Sequence, residues 1–182
     1  MPATPRPVSE IVSAGFAGAV GAPRIVTLAD GTLLVTAQVD GDFFAAIHGQ
    51  AFSPQGEPLG EPFVIETAID LVRGYDVAAL PDGGFAAAFL AANAVTLLGR
   101  SYDLVDGAPV ERAGQQAGIA DFADFDDDFG PTIAARGDSG FLLQAVSNGA
   151  EGRAVVEARE GESAGDGGRL IASVERAALT SA

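Results

Sequence analysis

Apolar segments and polar turns alternate along this chain in a pattern that recurs three times. Each copy is two short apolar segments on either side of a turn, and the copies are residues 25–35, 77–87 and 133–143. Steps of 52 and 56 residues separate them. Asp30-Gly31 and Asp82-Gly83 mark two of the turns, since Asp bonds its own backbone and Gly tolerates positive φ. Each copy predicts a β-hairpin, and the period indicates stacked supersecondary units.

Further strands are predicted after the hairpins. The first repeat continues with strands at residues 43–52 and 63–65, and residues 98–103 of the second repeat align with residues 48–53 of the first. Four short strands per repeat predict an all-β fold of stacked four-stranded antiparallel blades, which is a β-propeller-like repeat. Propellers use about four to eight blades. Three repeats therefore form a ring completed by oligomerisation, a piece of a longer array, or an open stack.

The segment Phe85–Leu90 gives two opposed signals. Its three alanines favour a helix, because Ala is the best helix former. Its alignment with residues 32–36, which are partly β-branched, favours a strand. We predict a strand that is covered on both faces by neighbouring sheets, which explains why its apolar residues do not alternate with polar ones.

The repeats divide the chain into a Pro-rich extended leader, a β domain of three units and a C-terminal segment. These are residues 1–9, residues 10–158 with units at about 23–74, 75–130 and 131–158, and residues 159–182. Ile11-Val12 is predicted to be the closing strand of an incomplete unit, and Gly152-Arg153 is aligned with Gly99-Arg100. The C-terminal segment combines an acidic Gly-rich loop with either a strand at 170–174 or a short amphipathic helix.

Composition narrows the range of partners. The chain is 48% hydrophobic, enough for a core, and its net charge is −15. An acidic surface repels phosphate backbones and anionic lipids, so we expect neither nucleic acid nor a membrane surface as partner. The apolar runs are too short and too broken by Gly for membrane insertion. The chain has no Cys, which excludes disulfides and a thiolate nucleophile.

An acidic and aromatic insertion, residues 118–129, contains the best candidate for metal binding. Asp124, Asp126 and Asp128 alternate like the first three ligands of a calcium loop, because hard cations prefer carboxylate oxygens. An EF-hand loop would need Gly and Glu where the chain has Phe129 and Ala135. The alternative is a solvated loop whose phenylalanines pack on the sheet edges.

The Arg-Gly-Asp-Ser motif and the single histidine could each have a function, but each also has a structural explanation. Residues 136–139 read Arg-Gly-Asp-Ser, a sequence that adhesion receptors recognise, but the other copies place an Asp at the same turn for backbone reasons. His48, the only histidine, lies on a predicted strand without a nucleophile-elbow pattern. We expect a partly buried structural histidine and no enzyme.

The repeat resembles one found in large secreted bacterial proteins of the haemolysin-type calcium-binding (RTX-like) group. The resemblance rests on the hairpin at 77–85 and on residues 47–60, which read IHGQAFSPQGEPLG, and it covers roughly Pro23 to Val156. The chain departs from that family in having no Trp at the end of the return strand and no calcium-binding nonapeptide beyond the fragment Gly165–Gly168. The resemblance implies an extracellular, non-catalytic repeat.

Together these observations favour a non-enzymatic binding or structural repeat module of a secreted or surface bacterial protein, stabilised by calcium in one version of the hypothesis. Its partners would be further copies, neighbouring repeats of a larger chain, or a protein or carbohydrate ligand. The alternative is a lectin-like or enzymatic β-propeller that self-association completes, with its ligand in the central channel. A truncated fragment without independent function is the third interpretation.

Overall fold

The fold is seen in a computed structural model that describes most of the chain. The described residues are 15–16, 18–69, 74–91, 96–119, 130–137, 140–148, 154–161 and 169–175. The predicted leader, the strand at Ile11-Val12, and Gly152-Arg153 lie outside them. Within those ranges every regular element is a strand, and no helix is present that could cross a membrane.

In the described part of the chain, twelve strands form three antiparallel sheets of four strands each, and within each sheet neighbours in sequence are neighbours in space. The first sheet contains β1 (Ala19–Thr27), β2 (Leu33–Asp40), β3 (Ala45–Phe52) and β4 (Phe63–Ile69). The second contains β5 (Tyr75–Ala79), β6 (Phe85–Leu90), β7 (Leu97–Val105) and β8 (Ala108–Ile119). The third contains β9 (Thr132–Arg136), β10 (Gly140–Asn148), β11 (Ala154–Gly161) and β12 (Arg169–Glu175). The all-β prediction is confirmed.

The three hairpins share one register. The equivalent pairs are Thr27 with Leu33, Ala79 with Phe85, and Ala135 with Phe141. These pairs are separated by the same steps of 52 and 56 residues that the sequence copies show. Because a slip of one residue would turn every side chain to the opposite face, the shared register means that equivalent residues share a face in all three sheets.

The first two hairpin turns are also alike in their hydrogen bonds. The amides of Leu28 and Leu80 donate to the carbonyls of Thr32 and Gly84, at 2.8 and 2.9 Å. Gly31 and Gly83 have positive φ, 87° and 110°, and each donates back to its leucine carbonyl. The Asp-Gly pairs therefore form the tight turns that the sequence predicts, with Gly in the positive-φ conformation.

Consecutive sheets pack face to face, with β5 in contact with both β1 and β9. We call the face of a sheet that points toward the next sheet its leading face and the opposite one its trailing face. Between the first and second sheets the core includes Leu34, Ile47, Phe85 and Phe89. Between the second and third it includes Ala86, Ala88, Leu90, Ile133 and Phe141.

Strand β6 is consequently covered on both sides, and all six of its residues are buried. The strand predicted at Phe85–Leu90 against its helix propensity is confirmed, because packing between two sheets outweighs a propensity difference below about 1 kcal/mol per residue. Gly99, on the neighbouring β7, fits the same close packing. A Cβ there would lie 2.5 Å from a methyl carbon of Leu143 in the third sheet.

Burial, in contrast to register, differs among the copies. Val77 and Ile133 are 6% and 7% exposed because each packs against the preceding sheet, whereas the equivalent Ile25 is 69% exposed. No sheet among the described residues precedes the first one. The three positions are therefore equivalent in backbone and unlike in environment.

The alignment of Arg153 with Arg100 is wrong. Arg100 pairs with Ala87, and the residue equivalent to Ala87 in the third sheet is Leu143, which pairs with Arg159. The connection between the second and third strands differs in length from sheet to sheet. The sequence alignment therefore chose an arginine six residues before the structural equivalent, Arg159. Further along, Arg169–Glu175 pairs with β11 as a strand, the first of the two alternatives considered for that segment.

Candidate functional site

A cavity of about 230 Å³ opens between the hairpin turns of the first and second sheets. We call it the turn-edge cavity. Its lining consists of turn residues from both sheets and the end of β7: Leu28, Asp30, Asp82, Gly83, Gly84, Asp103 and Leu104. Three carboxylates thus surround one small concave space.

Arg112, on β8, holds two of these carboxylates. Its Nε and Nη2 donate to one oxygen of Asp103 at 2.8 and 2.6 Å, and its Nη1 donates to Asp82 at 2.7 Å. Burial alone would lower the pKa of Arg112, but the hydrogen bonds and charges of Asp103 and Asp82 outweigh that effect and raise it. The absence of a side chain at Gly84 makes room for this guanidinium, because a Cβ there would lie 2.7 Å from Nη2.

The third carboxylate is held by its own turn. The amide of Thr32 donates to Asp30 at 2.9 Å and the Thr32 hydroxyl donates to its other oxygen at 3.0 Å. These two hydrogen bonds lower the pKa of Asp30, so that it remains charged to a lower pH than an ordinary Asp. Thr32 and Gly84 occupy equivalent positions in the two turns. Thr32 donates hydrogen bonds to Asp30, whereas Gly84 leaves space for Arg112, which donates to Asp82.

A second polar group connects the first and second sheets further from the turns. Glu66, on β4, accepts hydrogen bonds from Arg100 and from the hydroxyl of Tyr102, both at 2.6 Å. Arg100 also lies 3.8 Å from Glu111 and over the ring of Phe89. Its Nε is buried without a hydrogen-bond partner. We call Glu66, Arg100, Tyr102 and Glu111 the intersheet cluster.

The surroundings of the cluster change its acid–base behaviour. Burial and the hydrogen bond to Glu66 raise the pKa of Tyr102 well above its ordinary value. Burial would lower the pKa of Arg100, but the charges of Glu66 and Glu111 outweigh it and raise that pKa. Both groups thus keep their protons through the physiological range, which suits a permanent structural contact.

Side chains also join the three sheets at or beside their first strands. The hydroxyls of Thr36 and Tyr75 are hydrogen-bonded at 2.8 Å and buried. Burial raises the pKa of Tyr75 to about 12. Asp76 lies 3.4 Å from Arg24 in the first sheet and accepts a 3.0 Å hydrogen bond from the amide of Ile133 in the third.

The residues singled out in the sequence fall mostly elsewhere. Asp124, Asp126 and Asp128 lie outside the described residues, and so do Asp138 and Ser139 of the Arg-Gly-Asp-Ser motif. Arg136 and Gly137 of that motif are exposed at the β9–β10 turn. His48 is half-buried on β3 with its ring edge-on to Phe16, at 6.1 Å between centroids. Among the described residues, no three His, Cys, Asp or Glu side chains are arranged so that they could hold a metal ion.

The intersheet cluster was not anticipated from the sequence. One signal for it was available: Arg100 lies in an otherwise largely apolar strand, where a charge requires a partner. The partner Glu66 comes from a different repeat, and no local pattern connects the two.

Comparisons with protein-family models and with curated proteins find no match for this chain.

Proposed function

We propose that this chain is a non-enzymatic, propeller-like repeat module that serves as a structural and binding element of a secreted or surface bacterial protein. The observation that carries the proposal is the directional stacking of three sheets whose hairpins share one register. Repeat proteins of this kind contribute length and surface through stacked units rather than through one catalytic centre.

The use of the ionisable side chains supports a structural role. Arg24, Asp76, Glu66 and Arg100 join one sheet to another, and Arg112 fixes a turn. General acid–base catalysis requires a group that faces substrate with its proton free to move. These groups instead lie in fixed contacts between strands.

The turn-edge cavity is the binding element of the proposal. It suits a small ligand that presents hydroxyl or amino hydrogens, because carboxylates accept hydrogen bonds and attract positive charge. This agrees with the lectin-like alternative as far as the class of ligand is concerned. Addition of a neutral monosaccharide or a small amine should shift the amide resonances of Gly83 and Gly84, while Asp103→Asn should weaken the shift. Absence of any shift would leave the module without this binding role.

Calcium and an extracellular location belong to the proposal through the RTX-like resemblance. The candidate ligands are Asp124, Asp126 and Asp128, which lie outside the described residues. The acidic composition, with a net charge of −15, favours an association with cations over one with polyanions.

Hydrogen exchange of the full chain tests the stacked-repeat architecture on which the function depends. A repeat stack opens in parts, so we expect β6 to exchange most slowly and the exposed edges of the first and third sheets to open at lower free energy. Uniform exchange of all three sheets in one global step would contradict a modular array.

A further inference from the structure

The stack of sheets is directional. The leading face of the first sheet contacts the trailing face of the second, and the leading face of the second contacts the trailing face of the third. Two faces therefore remain without a sheet among the described residues. They are the trailing face of the first sheet and the leading face of the third.

The open trailing face of the first sheet has the composition of a contact surface. Ile25 and Val64 are 69% and 46% exposed on it, and Leu33 and Val35 are partly exposed. An antiparallel sheet with one face in water normally carries polar residues on that face. Phe16 covers part of β3 beside His48, which leaves the apolar side chain of Ile25 on β1 exposed.

The described side chains on the open leading face of the third sheet lie on β9 and β10 and are mostly small or polar, with the partly exposed Leu142 among them. Thr132, Ala134 and Gln144 are exposed on it. Polar residues also occur at the equivalent leading positions of the first sheet, where Arg24 and Thr36 bond to the second sheet. The polar character of this face is therefore compatible with a sheet-to-sheet contact.

We propose that the trailing face of the first sheet binds the leading face of the third sheet of a second copy, in the same relation that joins the sheets within one chain. This proposal rests on the stacked-repeat architecture of the proposed function. The contact is heterologous, since two different faces meet, and it continues the interface that each chain already contains.

Charge complementarity supports this arrangement. Arg136 occupies the leading-face position that Leu28 occupies in the first sheet, and Leu28 lines the turn-edge cavity beside Asp82 of the following sheet. Asp30 is the equivalent of Asp82. Repetition of the stacking relation thus brings Arg136 of one copy beside Asp30 of the next, and opposite charges in that position favour the contact.

The proposed contact also predicts the size of the assembly. Two copies supply six sheets, which lies within the range of about four to eight blades that closed propellers use. Closure at six sheets gives a dimer in which both open faces are covered.

Sedimentation velocity of the full chain over a range of concentrations tests the proposal. We expect a concentration-dependent dimer, and Ile25→Lys should weaken it at least tenfold because the charge would be buried in the contact. Val110→Lys is the matched control, since Val110 is 50% exposed on the second sheet and should leave the dimer intact. Far-UV circular dichroism checks that both variants fold.

Charge reversal tests the direction of stacking. Arg136→Asp and Asp30→Arg should each weaken the assembly, and the double variant should restore it. A wild-type chain that remains monomeric at millimolar concentration would overturn the proposal, as would a dimer unaffected by Ile25→Lys. A dimer sensitive to Ile25→Lys but not to either charge reversal would overturn it by indicating that two trailing faces meet. If the chain proves to be a monomer, its hydrogen-exchange pattern still tests the stacked-repeat architecture of the proposed function independently of self-association.

Discussion

The carboxylate of Asp76 accepts a hydrogen bond of 3.0 Å from the backbone amide of Ile133, so a side chain of the second sheet holds the first strand of the third. The other oxygen of the same carboxylate lies 3.4 Å from Nε of Arg24 in the first sheet. A single residue thereby contacts all three sheets close to their first strands. One of its interactions is a hydrogen bond from a backbone amide and the other is an ion pair, so different substitutions of Asp76 can remove one or both.

We expect Asp76→Ala to destabilise the protein by about 1–3 kcal/mol, because it leaves a partly buried amide without a partner. Asp76→Asn keeps an oxygen that can accept from Ile133 and loses only the pair with Arg24, which is partly exposed and worth about 0–1 kcal/mol. Urea unfolding of both variants measures the difference. Equal losses would mean that the amide contact contributes nothing.

Gly99 should tolerate no side chain. A Cβ would lie 2.5 Å from Leu143 and 2.8 Å from Phe141 across the second and third sheets, so Gly99→Ala should cost about 1–3 kcal/mol of overpacking. Gly21→Ala is the control, because no atom lies within 4 Å of the added carbon. A thermal melt in which both variants match the wild type would show that the two sheets can separate without cost.

Alkaline pH should destabilise the fold through Tyr75. Burial raises the pKa of Tyr75 from 10.0 to about 12, so the folded state holds this proton more tightly than the unfolded chain does. The resulting stability is fully present below about pH 10 and is lost as the pH rises toward 12. Tyr75→Phe should give a shallower decline in that range.

Tyrosinate absorbance provides the measurement, since the chain contains only two tyrosines and each single variant reports on the other. Tyr102→Phe supplies the comparison, because the pKa of Tyr102 is raised as well. Ionisation of both tyrosines near pH 10 in the folded protein would contradict the burial of their hydroxyls.

The intersheet cluster should behave as one unit. Glu66→Gln removes the charge that faces Arg100, and Tyr102→Phe removes the hydroxyl that donates to Glu66. Each variant should lose about 1–2 kcal/mol, since hydrogen bonds to charged groups are worth about 1.5–3 kcal/mol and this one is partly exposed. A double-mutant cycle should show coupling of about 0.5 kcal/mol or more. Strict additivity would mean that the two contacts act independently.

Calcium tests the acidic segment. If Asp124, Asp126 and Asp128 bind the ion in the folded state alone, calcium at 100 times its dissociation constant should stabilise the fold by about 2.7 kcal/mol. Replacement of all three by Asn should abolish the increase in melting temperature. An equal increase in the triple variant would place the ion elsewhere, and no increase at millimolar calcium would remove the proposal.

The hairpins could be predicted from the sequence because their information is local. Asp30-Gly31 and Asp82-Gly83 form turns by their own chemistry, and the apolar residues on either side are carried along in a fixed register. Comparison between copies also resolved β6, where propensity by itself favoured a helix. The third-strand alignment failed at Arg153 because the connecting segments differ in length.

The contacts between sheets could not be predicted in the same way. Glu66 meets Arg100 and Tyr102 only because two repeats stack with one orientation and spacing, and a single sequence shows neither. The turn-edge cavity likewise depends on how closely Asp30 and Asp82 approach across two sheets. The exposure of Ile25 follows from its place at the start of the stack, although its sequence neighbourhood resembles that of Val77.

The run of alanines gives the centre of β6 small side chains on both faces of the middle sheet. Ala86, Ala87 and Ala88 stand where the first sheet has Leu34, Val35 and Thr36, so the two hairpins match in backbone but not in bulk. A first hairpin transplanted into the middle position would wedge its neighbours apart. The side-chain volumes of the hairpins thus fix the order of the sheets. A chain in which the three hairpins exchanged positions would not pack in the same way.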